Sequence, residues 1–171
     1  MRLLPVLAIV FLACILQVAA VPGFPILGLQ PHLPLLLLAL WSQQKGTEEA
    51  LALAIPAGLL LGLMSSGPLG VAIISLALAV LAARSPWLVT AAEEGLLSAL
   101  GAVLIASAAY YLLEALILQG LGYPVPWWPS AFRQLVEGAL VNALLAPLLY
   151  WPLHLGWHPL ASQQRQVARW R

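Results

Sequence analysis

Residues 50–83 read ALALAIPAGLLLGLMSSGPLGVAIISLALAVLAA, with no charged side chain between Glu49 and Arg84. Two apolar stretches, about Ala50–Met64 and about Leu69–Ala83, flank Ser65-Ser66-Gly67-Pro68, residues that stop a helix and turn the chain. Both stretches are short for a full crossing at about 1.5 Å of rise per residue. The pair therefore predicts a tight membrane hairpin whose turn lies within the outer headgroup region, shielded by neighbours. The stretches are continuously apolar and do not alternate with polar residues, so a membrane β-barrel is disfavoured.

The rest of the chain has the same character. Charged residues make up 8% and apolar ones 63%, where a soluble domain carries roughly a quarter charged residues. All six acids are Glu and there is no Asp, which leaves too little polar surface for a water-soluble globule. At about 20 residues per helical crossing, 171 residues allow roughly six spans with short loops and no soluble catalytic domain. The expected fold is an all-α integral membrane protein with one helical bundle over residues 1–161 and a basic cytoplasmic tail over 162–171.

Four further segments complete that layout. The first span covers about Leu3–Val21; its Val18-Ala19-Ala20 end is similar to a signal-peptide cleavage site. Two hydrophobic blocks follow it closely, so it reads as an uncleaved span. After the Val21-Pro22-Gly23-Phe24-Pro25 turn, the block Phe24–Trp41 contains Pro25, Pro31 and Pro34. Only Pro34–Trp41 is cleanly helical, as in a broken or re-entrant helix. Thr47 reads as the N-cap of the third span, with Glu48 and Glu49 complementing the helix dipole. The fifth segment, about Leu88–Leu118, is too long for one crossing and starts in the interface around Glu93 and Glu94. A sixth span, about Ala131–Trp151, ends at Pro152.

Charge placement sets the expected topology. With six spans, Arg2, Lys45, Arg84, Arg165, Arg169 and Arg171 fall on one side and Arg133 on the other, so both termini are expected in the cytoplasm. Trp41, Trp87, Trp151 and Trp157 then mark the inner interface, and Trp127 with Trp128 the outer one. The tail is expected to lie against anionic lipid.

Several residues stand out from this background. Ala50, Ala54, Gly58, Gly62 and Ser66 recur every four positions and share one helix face. Such a face admits close approach of another helix, either from the same chain or from a partner. Glu114 and Glu137 lie in apolar blocks, where an unpaired carboxylate is costly, and Arg133 stands four residues before Glu137. An intramembrane cluster of Arg133, Glu137 and Glu114 pinning two helices is expected, with a substrate or proton site as the alternative. Asn142, mid-span, is expected to hydrogen-bond across to another helix. His32 reads as a solvated interface residue.

Catalysis is not expected. No Asp is available for aspartyl chemistry, Ser65 and Ser66 have no His base nearby, and no glycine loop with Lys offers a nucleotide site. The histidines are scattered away from Cys14 and the carboxylates, so neither a metal nor a cofactor is expected. Cys14, the lone cysteine, reads as a small packing residue.

Three stretches together resemble the bacterial rod-shape-determining membrane protein family MreD. They are Gln30-Pro31-His32-Leu33-Pro34 leading into Leu35–Trp41; Gly58–Gly70, including Gly62-Leu63-Met64-Ser65-Ser66-Gly67-Pro68; and Leu140-Val141-Asn142-Ala143-Leu144-Leu145-Ala146-Pro147-Leu148. Tyr110-Tyr111-Leu112-Leu113-Glu114 precedes the third in the expected order. Members of that family often carry Asp where this chain has His32 and Gly62, so no role of those carboxylates carries over. The resemblance implies a non-enzymatic scaffold in the bacterial cytoplasmic membrane. Its implied partners are MreC and, through it, MreB, RodA and a class B penicillin-binding protein, with no nucleic acid. Candidate binding surfaces are Ala54, Gly58 and Gly62, the turn at Ser66, Gly67, Pro68 and Gly70, and Asn142. The family is also similar in layout to the substrate-binding S components of energy-coupling-factor vitamin transporters, which supplies the alternative reading. Against it, the face Ala8, Leu12, Leu16, Ala20 on the first span is bulky in the middle, where S components carry small residues.

Overall fold

The computed structural model describes residues 3–19, 30–65, 67–84 and 95–168; for Leu3, Leu4, Trp128 and residues 154–168 only the backbone is described. Among the described residues there are six α-helices: α1 (Leu3–Ala19), α2 (Leu33–Lys45), α3 (Thr47–Met64), α4 (Val71–Ala83), α5 (Leu96–Gly120) and α6 (Phe132–Ala168). The chain enters α6 through a wide π-type turn at Trp127–Ala131. Among the described residues, Thr47–Met64, Leu96–Gly120 and Pro129–Leu153 are apolar and long enough to cross a membrane. Pro5–Ala19 and Val71–Ala83 are shorter apolar helices.

The architecture is organised around α2. It touches each of the other five helices, and the outer ones neighbour one another in the order α1, α3, α4, α5, α6. Every residue from Pro34 to Ser42 is buried, and Leu36, Leu38, Ala39 and Leu40 have no exposed surface at all. In lipid no hydrophobic force drives helices together, because acyl chains are as apolar as leucine. What holds α2 is the dispersion contact that each buried leucine makes on all sides. Pro34 stands at the second helical position, where its missing N–H removes no helical bond.

Packing between α3 and α4 is closer still. A Cβ built on Gly58 would lie 2.5 Å from Ile73 Cα and 2.7 Å from Ile73 N, so only glycine lets the α4 backbone come this near. At Gly138 of α6 a Cβ would meet the Tyr111 ring of α5 at 2.8 Å, so glycine there leaves room for that side chain.

The helix ends differ from the sequence expectation in three places. Thr47 is the first residue of α3 and not its cap; Gly46, at φ +104°, is the junction. Its N–H donates to Ser42 O and its carbonyl accepts from Ala50 N–H, so one residue closes α2 and opens α3. A one-residue link needs a positive φ, which glycine adopts without strain. The last helix does not stop at Pro152 but continues to Ala168. A proline removes a single i→i−4 bond, and here the helix resumes beyond it. His32 is not a solvated residue: it is partly buried, with its ring 4.5 Å from that of Tyr110. The Val21–Pro25 turn, Ser66, Trp87 and the Glu93-Glu94 pair lie outside the described residues.

Candidate functional site

A helix of 13 residues spans roughly 20 Å, about two-thirds of a hydrocarbon core. The N-terminus of α2 is partly buried at His32 and Leu33, and a helix leaves its first N–H groups without an intrahelical acceptor. Side chains supply the missing acceptors. His32 N–H donates to Asn142 Oδ1 at 2.8 Å, and Leu33 N–H donates to Gln17 Oε1 at 2.7 Å. Leu35 N–H donates to His32 Nδ1 at 3.3 Å, and Leu36 N–H to the His32 carbonyl at 3.0 Å. Pro34 has no N–H to satisfy.

This cap joins four helices. Asn142, from α6, is fully buried and also donates through Nδ2 to Ser107 Oγ of α5 at 3.0 Å. Gln17 comes from α1. Beside them, Tyr110 tilts against the His32 ring, and its hydroxyl donates to Glu114 at 3.4 Å. Cys14, packed in the core, donates to the Ala57 carbonyl at 3.7 Å. The assembly binds backbone and places no nucleophile beside a base. Among the described residues, no three His, Cys, Asp or Glu side chains come together.

The other residues singled out from the sequence are spread over different places. Ala54 is fully buried, and Gly58 and Gly62 are buried on the same helix. At Gly58 the face is filled by α4 of the same chain, and at Gly62 the nearest atoms belong to Leu69 and Gly70. A partner helix has no access to Gly58 in this arrangement. In the turn, Gly67 is exposed and Pro68 partly buried, while Gly70 caps α4 in the left-handed region at φ +97°. Arg133 Nε donates to Glu137 Oε2 at 2.7 Å along α6, with the two side chains 57% and 43% exposed. That pair lies within one helix and faces outward, whereas the bond given to Glu114 comes from Tyr110.

A family model described as rod shape-determining protein MreD matches residues 1–155. The chain belongs to the MreD family. Membership makes it a membrane component of the rod-shape machinery that acts without catalysis. No curated protein and no solved structure matches the chain. Two of the MreD-like stretches meet in the cap just described. Pro31-His32-Leu33-Pro34 is the capped terminus, and Asn142 is the residue that caps it. The Tyr110-Tyr111 pair lies alongside.

Sequence reading missed Gln17 and Ser107. Gln17 had a signal, since it is the one amide in the first apolar block. A second missed feature lies at the other end of α2. Gln43 Nε2 donates to the Ala83 carbonyl at 2.8 Å, and Arg84 Nη1 to the Ser42 carbonyl at 3.3 Å. The C-termini of α2 and α4 thus cap each other, satisfying carbonyls that helix ends leave open.

Proposed function

We propose that the protein is a six-span scaffold of the cell-wall elongation machinery that holds MreC, and through it couples MreB to RodA and a class B penicillin-binding protein. The observation that carries this reading is the MreD match over residues 1–155. The packing of α2 supports a scaffold over a ligand carrier. A small-molecule pocket on the bundle axis would need the volume that Leu35–Ser42 occupy, and those residues are buried throughout. In this reading both termini face the cytoplasm: α1 and α3 run outward, α2 and α4 inward, α5 outward and α6 inward. Gln43, Lys45 and Arg84 then lie at the inner surface, as the positive-inside rule requires.

The test is an affinity pull-down of the tagged protein from gently solubilised native membranes, read by mass spectrometry. Recovery of MreC with RodA or a penicillin-binding protein is the expected result. Recovery of a transporter ATPase pair with its coupling subunit would overturn it in favour of a vitamin-binding component.

A further inference from the structure

The exposed surface of α6 combines an ion pair with a row of apolar side chains. Arg133, Glu137, Leu140, Leu144, Leu148 and Trp151 follow one another at steps of four or three, so they line one side of the helix. Leu140, Leu144, Leu148 and Trp151 are 58–71% exposed. Asn142 and Gly138 on the opposite side pack into the bundle. Lipid covers an apolar face without difficulty, and the outer side of α3 (Ile55, Leu59, Leu63) is such a face. On α6, however, the face carries an ion pair. Glu137 lies eight residues into Pro129–Leu153, roughly 12 Å along the helix. Its carboxylate accepts from Arg133, and its side chain is 43% exposed.

An exposed carboxylate at that depth is costly against acyl chains. A partner that brings a second Arg/Glu pair to the same depth removes the cost. Copies of this chain in one membrane share their orientation, so a twofold axis along the membrane normal sets α6 against α6. A twofold interface is self-complementary: Arg133 of each copy reaches Glu137 of the other, and the leucines meet below. We infer that the Arg133–Trp151 face of α6 is a homodimer interface, with the two ion pairs exchanged across the axis. The occupant is a second copy because the charge pattern is its own complement.

Cysteine cross-linking in native membranes tests this. In a Cys14→Ala background, Leu144→Cys is oxidised with copper phenanthroline and compared with Leu59→Cys on the lipid face of α3. Dimer yield is expected to be roughly tenfold higher at Leu144 and to fall by a similar factor on adding Arg133→Glu or Glu137→Arg alone, since like charges then face each other. Co-expressing the Arg133→Glu and Glu137→Arg chains is expected to restore the cross-link as a mixed dimer. Equal yields at Leu144 and Leu59, no dimer at Leu144 or Leu148, or a product with the mass of a different protein would each overturn the proposal. None of these outcomes depends on which elongation proteins are recovered in a pull-down.

Discussion

The bundle holds polar groups in two ways, and the contrast separates what stabilises the chain from what it offers to others. At the α2 terminus, backbone N–H groups and the amides of Gln17 and Asn142 satisfy one another inside the protein. Near the N-terminal end of α6, Arg133 and Glu137 bond to each other along the helix, with side chains 57% and 43% exposed. The first arrangement joins four helices through neutral hydrogen bonds. The second joins one turn of one helix to the next. Removal of a group from the first leaves a buried donor with nothing to bond, whereas the second can lose a partner with little effect on the isolated chain.

The largest effect is therefore expected at Asn142. Asn142→Leu orphans the His32 N–H and the Ser107 hydroxyl together. Side-chain hydrogen bonds between membrane helices average well below what burial alone implies, because the unfolded helices also find partners. A recessed backbone N–H has fewer alternatives, so a loss of about 2–3 kcal/mol is expected. A thermal melt in mild detergent reads it, and a melting point equal to wild type would show that the cap is dispensable.

Gly58→Ala comes next and probes apolar closeness instead of polar satisfaction. The added methyl would meet the Ile73 backbone at 2.5 Å, so α3 and α4 must separate. Overpacking of this kind costs about 1–3 kcal/mol, reduced by up to about 1 kcal/mol because alanine favours the helix more than glycine does. A variant as stable as wild type would mean that the two helices have room to move apart.

Gln17→Leu removes one acceptor and keeps the bulk. An expected cost of about 1 kcal/mol follows from losing a single bond to the Leu33 N–H. Combining it with Asn142→Leu sharpens the comparison. If the two side chains hold one helix end as a unit, the double variant loses less than the sum of the single losses. Strict additivity would mean that each caps its own N–H independently.

How much of this was legible in advance follows from the range over which each signal acts. Apolar blocks and helix breakers are local, and the stretches at Ala50–Met64 and Leu69–Ala83 largely became α3 and α4. Pro31 and Pro34 placed the start of α2 almost at Leu33. Its central position was not legible, because a leucine-rich helix facing lipid and one facing five other helices have the same composition. The small-residue stripe likewise marked Gly58 as a close-approach point without saying which helix approaches; Ile73 of α4 does. Asn142 was conspicuous as an amide in an apolar span. Its partner, a backbone N–H lying 110 positions earlier in the chain, could not be read from any local pattern. Glu114 was grouped with Arg133 by estimated depth alone, and depth says nothing about the direction in which a side chain points around its helix.

The smallest effect on stability is expected at Glu137, and it is the most informative of the four. Glu137→Gln keeps the shape of the side chain and one acceptor for Arg133, but removes the charge. Exposed pairs four residues apart on a helix contribute little to its stability. The melting point in detergent should then stay within the scatter of replicate measurements. In the membrane, the same variant should lose the Leu144→Cys cross-link, because the carboxylate that attracts the second copy's Arg133 is gone. A fall in melting point that does not vary with protein concentration would point the other way. It would mean that Glu137 holds Arg133 in a contact internal to one chain, with α5 and the Glu114 carboxylate as the nearest candidate. In that event the two polar places would both be structural. Stability loss and cross-link loss in the same variant are thus the pair of readings that tells a pin within the bundle from an interface on its surface.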